Sequence, residues 1–384
     1  MKGIKHRTYM FAMVFIINLT LNANVVNAMH TVNISTTKND KISKNINVNA
    51  RSAIAIDKDT GIVLYEKSAY DIISMASTTK IMTALVAIDH GELDKKITIS
   101  KRAAKIKGST VKYKEGEQIT LKELLYGLMF KSGNDAAIAI AEGISGSVEE
   151  FLKLMNEEAI KLGTLNTHFE SPHGLDSENH YTTSYDLALI TAAAKKNQVF
   201  DKIVSSKEIK KDDENFTRDY NNINKLLYSI DDCTGVKTGY TGKAGKCLVS
   251  SFKANGREII VVTLNCTPRW KESKKIYEYV KNNFNQVNVK RKGDTVGRIK
   301  DKKGKEIPIY IKEDICLPIK KGETYNYRVE IKPDNLIDSN INKDSILGTY
   351  KVFKENKEVY SVNIFNKESV QNEKTFLERL KDKI

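Results

Sequence analysis

The spacing of apolar and polar residues changes along the chain, and the first regular pattern begins near Ser52. Residues 52–56 and 62–65 alternate on either side of a polar turn at 57–61, which predicts a β-hairpin. Apolar residues then recur at helical spacing, and Gly163 is placed to cap the last such segment. The helical segments are 80–88, 121–130, 136–142 and 148–162. This part of the chain is therefore predicted to be a hairpin followed by a mostly helical block.

Strand patterns return in the middle of the chain, at residues 234–238, 247–253 and 258–264. The last two are joined through Asn255-Gly256, a dipeptide typical of tight hairpins. Residues 270–284 again carry apolar positions at helical spacing. We therefore predict one domain over residues 49–285 in which the early and late strands pair in one sheet.

Beyond residue 285 the pattern changes to short alternating strands with Lys and Gly turns, at 295–299, 306–311 and 325–331. This predicts a small all-β domain, similar to a β-sandwich, over residues 286–366. Residues 367–384 form a predicted amphipathic tail with Phe376, Leu377, Leu380 and Ile384 on one helical face. Four apolar residues support only weak or assisted peripheral contact with a membrane, and a solvated helix is the alternative.

The N-terminus predicts export. Lys2, Lys5 and Arg7 precede an apolar run over residues 9–19, and small residues at 26–28 offer a cleavage site, so residues 1–28 are interpreted as a signal peptide. An uncleaved anchor is the alternative, but the run is shorter than the ~20 residues that a span needs. The polar residues 29–48 are predicted to be a flexible lead-in.

Composition narrows the possible partners. The 384 residues carry 62 Lys and Arg against 48 Asp and Glu, a net charge of +14 that suits a cell-wall polymer, a membrane surface or nucleic acid. Export removes nucleic acid from this set. The 4 cysteines form no CxxC pair, and no histidine cluster has metal-ligand spacing, so we expect buried thiols, no metal and no cofactor.

Three short motifs carry candidate chemistry, and the first occurs twice. Ser77-Thr78-Thr79-Lys80 opens an apolar helix, which places the Ser77 hydroxyl at a helix start and Lys80 one turn later on the same face. The identical residues 35–38 lie in the polar lead-in, where no helix supports them. A lysine can deprotonate a serine at neutral pH only if burial and nearby positive charge keep it partly neutral. Lys237 could supply that charge.

The other two motifs add groups suited to substrate. Ser132-Gly133-Asn134 lies between two predicted helices, where a hydroxyl and an amide can project into a cleft. Lys237 and Thr238 suit a carboxylate. Gly239 leaves no side chain where a substrate backbone must approach the edge of a strand.

In this order, the motifs S-x-x-K, S-x-N and K-T-G resemble the signature of penicillin-binding proteins and serine β-lactamases. Residues 165–169, 172–176 and 180–188, with the continuation of K-T-G into Tyr240-Thr241, resemble the low-molecular-mass D-alanyl-D-alanine carboxypeptidases, peptidase family S11. Among these, the sporulation-associated members look most similar. The resemblance covers about residues 50–366. It implies an α/β catalytic domain with a five-stranded antiparallel sheet flanked by helices and a helical subdomain, followed by the small β domain.

The resemblance also implies catalytic roles. Ser77 is expected to be the acylated nucleophile, Lys80 its general base and Ser132 the proton relay towards the leaving D-alanine. Asn134 is expected to bond the amide groups of the substrate. The backbone N–H groups of Ser77 and Tyr240 are expected to form the oxyanion hole.

The remaining expected roles concern recognition. Lys237 and Thr238 hold the terminal carboxylate of the stem peptide of peptidoglycan, and Arg269 lies near that carboxylate. His173 and Asp186 match the family pattern, but we interpret them as bracing the loop below the site. β-Lactam antibiotics are expected to act as covalent inhibitors.

Two other functions remain open at this stage. A class A β-lactamase shares the acylating motifs but needs a Glu with a partner Asn for deacylation; Glu170 lies in the right interval, yet Gly174 stands where that Asn would be. A catalytically silent wall-binding or β-lactam-sensing module would tolerate loss of Lys80 or Lys237, and both are present.

Overall fold

The computed structural model describes residues 30–32, 46–300, 305–323, 325–331, 341–354 and 356–369. The predicted signal peptide, the second S-x-x-K copy at 35–38 and the predicted helix at 371–384 lie outside these residues. So does most of the predicted lead-in.

Within the described residues, the α-helices have the following bounds: α1 Lys80–His90, α2 Lys101–Lys105, α3 Leu121–Phe130, α4 Asn134–Ser145, α5 Val148–Lys161, α6 Ser184–Ala194, α7 Gln198–Ser205, α8 Leu226–Ser229 and α9 Arg269–Asn283. Short 3₁₀ helices occur at Ala76–Thr79 and Lys211–Asp213.

The strands are β1 His30–Val32, β2 Ala50–Asp57, β3 Val63–Lys67, β4 Lys96–Thr98, β5 Gln118–Thr120, β6 Glu208–Ile209, β7 Tyr220–Asn221, β8 Cys233–Thr241, β9 Gly245–Ala254, β10 Arg257–Cys266, β11 Phe284–Lys290, β12 Thr295–Lys300, β13 Glu306–Tyr310, β14 Ile315–Lys320, β15 Tyr325–Ile331, β16 Ile346–Lys354 and β17 Lys357–Asn366.

The catalytic sheet has five antiparallel strands in the order β3-β2-β10-β9-β8. The predicted early hairpin forms β2 and β3, and Asn255-Gly256 turns β9 into β10 with positive φ at both residues. Strand β2 pairs with β10, with Ala55 opposite Val261, so the predicted pairing of early and late strands is confirmed. This order leaves β8 at one edge of the sheet and β3 at the other.

The helices of the first domain begin at local caps and bury apolar faces. Thr120 and Ser147 accept the backbone N–H of the residue three positions later at the starts of α3 and α5. Helix α1 packs against α3, α4, α5 and α6. The predicted helices at 80–88, 121–130, 136–142 and 148–162 are all present; α3 has the predicted bounds, and the other three differ by a few residues at one or both ends.

Helices α6 and α7 were not predicted. Helix α6 is rich in alanine and is buried on most of its surface, because it lies between α1 and the strands β2 and β10. A helix buried on several sides has no polar face, and the periodic signal on which the prediction rests is then lost. The pattern also missed β11, β14, β16 and β17 of the second domain.

The second domain is all-β, as expected. A six-stranded antiparallel sheet has the order β1-β15-β16-β17-β13-β12, and β11 pairs with β14 separately. Its core includes Ile309, Leu317, Leu347 and Tyr350. The strand β1 belongs to this sheet through pairing with Tyr325–Tyr327, so three residues of the predicted flexible lead-in form a strand.

A buried ion pair links the two domains. Arg257 pairs with Asp57 inside the catalytic sheet, and both side chains are almost fully buried. The same guanidinium donates from Nη1 to the carbonyl of Cys316 in β14, at 2.5 Å. Strands β2 and β10 and the β domain are therefore held together by one arginine side chain.

Candidate active site

Ser77 lies in the 3₁₀ turn immediately before α1. Two threonine hydroxyls close this turn on the backbone: Thr78 donates to the carbonyl of Met75 at 2.5 Å and Thr79 donates to that of Ala76 at 2.8 Å. Ala76 has φ +50°, a left-handed conformation that costs an L-residue roughly 1–2 kcal/mol. The turn is thus held by its surroundings, and it leaves the Ser77 side chain partly exposed at the start of the helix.

Lys80 is fully buried one turn further on and meets three acceptors. Its Nζ lies 3.0 Å from Ser77 Oγ, 2.8 Å from Asn134 Oδ1 and 2.7 Å from the backbone carbonyl of His173. The last two groups can only accept hydrogen bonds. A neutral lysine has two N–H bonds and one lone pair, so satisfying both acceptors leaves the lone pair directed at the Ser77 hydroxyl.

The electrostatics favour that neutral form. Burial, and next the ammonium of Lys237, lower the pKa of Lys80 well below its usual value of 10.5, against the opposing charge of Asp135. The sequence-based expectation that burial and a second lysine would act together on Lys80 agrees with this geometry.

Ser132 lies in the short connection between α3 and α4, and Asn134 is the first residue of α4. Ser132 has φ +58°, and both side chains are almost fully buried. The Nδ2 atom of Asn134 donates to the carbonyl of Lys107 at 2.7 Å, which turns Oδ1 towards Lys80. Asn134 was expected to bond the substrate; the contacts that the structure shows for its side chain are with Lys80 and Lys107.

The K-T-G motif lies on the edge strand β8, which closes the other side of the cleft. A Cβ atom built on Gly239 would come within 3.1 Å of the Ala76 Cβ and of the backbone nitrogen of Ser77. These contacts are tighter than ordinary van der Waals packing, so the glycine lets β8 approach the turn that contains Ser77 this closely. This packing brings the first and third motifs together across 160 residues of sequence.

Lys237 is buried on this strand, and its Nζ donates to the carbonyl of Thr238 at 3.0 Å. Burial, and then the charge of Arg269, lower the pKa of Lys237 from 10.5 to about 7. Tyr240 directs its side chain outwards, 67% exposed.

Arg269 lies behind the strand. Its Nη1 donates to the carbonyls of Gly239 at 2.7 Å and Cys247 at 3.2 Å, and its guanidinium lies over the ring of Trp270. Two hydrogen bonds of the side chain are thus made with β8 and β9. Arg269 therefore acts on the site through the backbone of β8 and through the charge that it adds near Lys237.

Two acidic residues were missed by the sequence analysis. Asp135 is buried and accepts the backbone N–H groups of Val111, Lys112 and Tyr113, which orders the loop below Asn134. Asp176 accepts from the Thr241 hydroxyl at 2.6 Å and joins the loop after His173 to the end of β8. The sequence signal that was available for Asp135 is its position directly after the S-x-N motif.

The residues interpreted as braces have that geometry. Asp186 accepts from the backbone of Asn166 and the hydroxyl of Thr167, each at 2.9 Å. Burial, followed by the charge of Lys80, lowers the pKa of His173 to about 3, so its ring is neutral at pH 7. Glu170 accepts the backbone N–H of Asn179 at 3.0 Å.

Neither a metal nor a membrane span is evident in the part of the chain that the structure describes. No group of three or more His, Cys, Asp or Glu residues is arranged there to hold an ion. None of the helices described is both long and apolar enough to cross a bilayer.

Comparison with known proteins agrees with this architecture. The family model of D-alanyl-D-alanine carboxypeptidase matches residues 35–267, and that of the C-terminal domain of penicillin-binding protein 5 matches residues 284–372. The D-alanyl-D-alanine carboxypeptidase DacF of Bacillus subtilis is 36% identical over 350 residues, 86% of this chain and 88% of that protein. The chain belongs to the D-alanyl-D-alanine carboxypeptidase family.

Solved structures of this kind extend the likeness to both domains. Penicillin binding protein 5 from Haemophilus influenzae superposes with a TM-score of 0.75 at 27% identity, over 86% of this chain and 100% of that one. A mutant of a Streptomyces DD-transpeptidase gives a TM-score of 0.58 at 33% identity and covers 61% of this chain and 98% of its own. The expected fold class is thereby confirmed.

Proposed function

We propose that this member of the D-alanyl-D-alanine carboxypeptidase family removes the terminal D-Ala from the pentapeptide of peptidoglycan through an acyl-enzyme on Ser77. The observation that carries this mechanism is the 3.0 Å contact between Lys80 Nζ and Ser77 Oγ, made by a buried lysine whose other two neighbours are acceptors only. A nucleophile paired with an oriented base is the arrangement that acyl transfer needs.

In acylation, Ser77 Oγ attacks the carbonyl carbon of the penultimate D-Ala while Lys80 takes the hydroxyl proton. The oxygen that becomes negative accepts hydrogen bonds from the backbone N–H groups of Ser77 and Tyr240. Losing one such donor typically costs about 3 kcal/mol of transition-state stabilisation. Collapse of the tetrahedral intermediate breaks the C–N bond. The proton then reaches the departing D-Ala nitrogen through Ser132.

Recognition of the substrate uses the edge of β8. The peptide pairs with this strand as an added strand, and Gly239 leaves room for its backbone. Lys237 and Thr238 hold the terminal carboxylate, whose negative charge favours the protonated form of Lys237. Arg269 is a positioning residue in this scheme, because its hydrogen bonds go to β8 and β9.

Water completes the reaction by attacking the ester carbonyl carbon; Lys80 takes a proton from the water and passes it to Ser77 Oγ as the C–Oγ bond breaks, which frees the tetrapeptide and restores the enzyme. β-Lactams acylate the same serine. The loop that includes Glu170 supports slow rather than fast loss of that adduct, since this carboxylate accepts the backbone of Asn179 on an exposed surface and has no Asn at position 174 to work with. A class A β-lactamase is therefore the less favoured function. A silent binding module would not require the Ser77–Lys80 geometry.

The setting of the reaction is also part of the proposal. Residues 1–28 direct export, residues 49–285 form the catalytic domain and residues 286–366 the β domain, so that the enzyme works outside the cytoplasm at the cell wall. The tail at 367–384 makes peripheral contact with the outer face of the membrane. We retain a role in sporulation as a prediction from the resemblance, to be tested by the time of expression.

Intact mass after incubation with penicillin tests the central step, with the modified peptide mapped. The adduct is expected on Ser77, and Ser77→Ala should abolish it while the far-UV spectrum stays unchanged. An adduct at Ser35 or elsewhere would overturn the mechanism. With a pentapeptide ending in D-Ala-D-Ala, free D-Ala and a tetrapeptide are expected; a dominant cross-linked product would indicate transpeptidation, and rapid penicillin turnover a β-lactamase.

Deletion of residues 371–384 tests the tail. Activity on a soluble peptide should be unchanged, and binding to anionic vesicles should weaken and become less sensitive to salt, since each basic residue near anionic lipid contributes ~1 kcal/mol. Equal partitioning of full-length and truncated proteins would contradict the membrane role.

A further inference from the structure

A groove of about 790 Å³ lies between the catalytic sheet and the β domain, far from Ser77. One wall is the whole of β3 with the preceding turn, and the other includes Lys320, Tyr325 and Lys357 of the β domain. Because β3 and β8 are opposite edges of the five-stranded sheet, the groove and the K-T-G strand are roughly 19 Å apart at about 4.8 Å per strand.

Tyrosines line this groove in two pairs. Tyr65 and Tyr279 meet edge to face, with ring centroids 6.1 Å apart, and Tyr70 and Tyr185 meet at 5.2 Å. Tyr70 is 53% exposed, so one ring face is available to a ligand. Tyrosine combines a flat apolar face with a hydroxyl, a combination that suits a ligand with apolar faces and many hydroxyl or amide groups, such as a sugar ring.

Lysines supply the second part of the groove chemistry. Lys67, Lys320, Lys354 and Lys357 line it together with Glu66 and Glu358. Lys320 and Lys354 each pair with Glu323, whereas exposed Lys357 has no carboxylate within ion-pair distance among the residues described. The charged side chains that line the groove sum to a positive charge, in keeping with the net charge of +14 of the whole chain. The groove therefore favours carboxylates over cationic groups.

We propose that this groove binds a second stretch of the peptidoglycan strand, with sugar rings on the tyrosines and stem-peptide carboxylates at the lysines. The inference rests on the proposed function, because it assumes that the substrate is a polymer of sugars and acidic peptides. The catalytic cleft handles only the end of one stem peptide. A second contact on the same polymer keeps the enzyme near further stem peptides and raises their effective concentration.

The test separates binding from catalysis. Binding is measured by co-sedimentation of the Ser77→Ala protein with purified sacculi, from which hydrofluoric acid has removed phosphate-containing polymers. The double variant Tyr70→Ala/Lys357→Ala removes one exposed ring and one exposed cation from the groove. Tyr228→Ala/Lys196→Ala is the matched control, since Tyr228 is 55% exposed, Lys196 is also exposed and neither lines the groove.

We expect the groove variant to bind sacculi about five-fold more weakly and the control variant to bind as before, because the groove variant alone loses a ring contact and a charge contact. With Ser77 restored, kcat/KM on soluble pentapeptide should stay within about two-fold, while kcat/KM on polymeric peptidoglycan should fall about five-fold. Equal binding of the two variants to sacculi would overturn the proposal. So would a loss of binding by the groove variant that is seen only with anionic vesicles or with a protein. Failure of the proposed function looks different: no D-Ala would be released from any substrate, while the binding result would stand.

Discussion

The pH dependence of acylation should report the charge on Lys237. This lysine must be protonated to hold a carboxylate, and burial together with Arg269 lowers its pKa to about 7 in the free enzyme. Since kcat/KM follows the free enzyme, it should fall as the pH rises through about 7. A bound carboxylate stabilises the ammonium, so kcat at saturating substrate should hold to higher pH.

Replacing Arg269 by Gln tests the physical cause of that fall. Burial is the larger reason for the change in the pKa of Lys237 from 10.5 to about 7, and the charge of Arg269 is the smaller one. Removing the charge can therefore restore less than half of the change, and the alkaline limb should move up by less than about two pH units. The direction is upward because an ammonium is easier to keep protonated without a neighbouring cation.

The matched control keeps the charge and alters the shape. Arg269→Lys should leave the alkaline limb nearly in place, although its kcat/KM falls because the shorter lysine side chain does not hold a nitrogen at the Nη1 position, from which both the Gly239 and Cys247 carbonyls are bonded. Steady-state release of D-Ala from a soluble pentapeptide between pH 5 and 10 gives the profiles. A peptide with an amidated C-terminus should show no alkaline limb, since it has no carboxylate for Lys237.

Two results would refute this reasoning. The first is an alkaline limb that stays in place in Arg269→Gln, which would assign it to another group. The second is an equal upward movement in Arg269→Gln and Arg269→Lys, which would show that displacement of β8, and not charge, sets the pKa of Lys237.

Further predictions concern recognition, packing and stability. Lys237→Ala should lower kcat/KM by at least about ten-fold, and amidating the substrate should then cost little more; losses that simply multiply would argue against a direct contact. Gly239→Ala places a Cβ 3.1 Å from the nucleophile turn and should lower kcat/KM about ten-fold, whereas Gly242→Ala, with no atom within 4 Å, should not. Arg257→Ala leaves a buried carboxylate unpaired and should reduce the free energy of unfolding by about 3–5 kcal/mol, against under about 1 kcal/mol for the exposed Arg102→Ala, both measured by urea unfolding.

The sequence could predict those elements whose patterns are local. Helix α3 was placed at its observed bounds because apolar residues recur at helical spacing over Leu121–Phe130. Helix α6 was missed because its apolar and small residues are spread around the helix, so its sequence shows no apolar stripe. The same limit applies in the β domain, where the long strands β16 and β17 pair with each other and alternate less regularly through their bulges.

The candidate site residues were chosen for a related reason. The identities of Ser77, Lys80 and Lys237 are local motifs, and the helix after Ser77 distinguished that motif from the copy at 35–38. The position of Arg269 behind β8 was not predictable, because it depends on how α9 packs on β9 and β10. The resemblance implies an arginine near the substrate carboxylate, and what the structure adds is that Arg269 also bonds two strand carbonyls.

The protonation of Lys80 shows most clearly what sequence leaves undetermined. A motif states that a lysine follows a serine, but the lysine is a base only if its own two N–H groups have acceptors elsewhere. Those acceptors are the amide oxygen of Asn134 and the carbonyl of His173, which come from segments 54 and 93 residues away. Asn134 can serve as an acceptor for Lys80 only because its amide nitrogen donates to the backbone carbonyl of Lys107, which turns the amide oxygen towards Lys80. The ability of Lys80 to act as a base towards Ser77 thus depends on three segments that meet in the fold. Loss of either acceptor should weaken Lys80 as a base, although residues 77–80 themselves are unchanged.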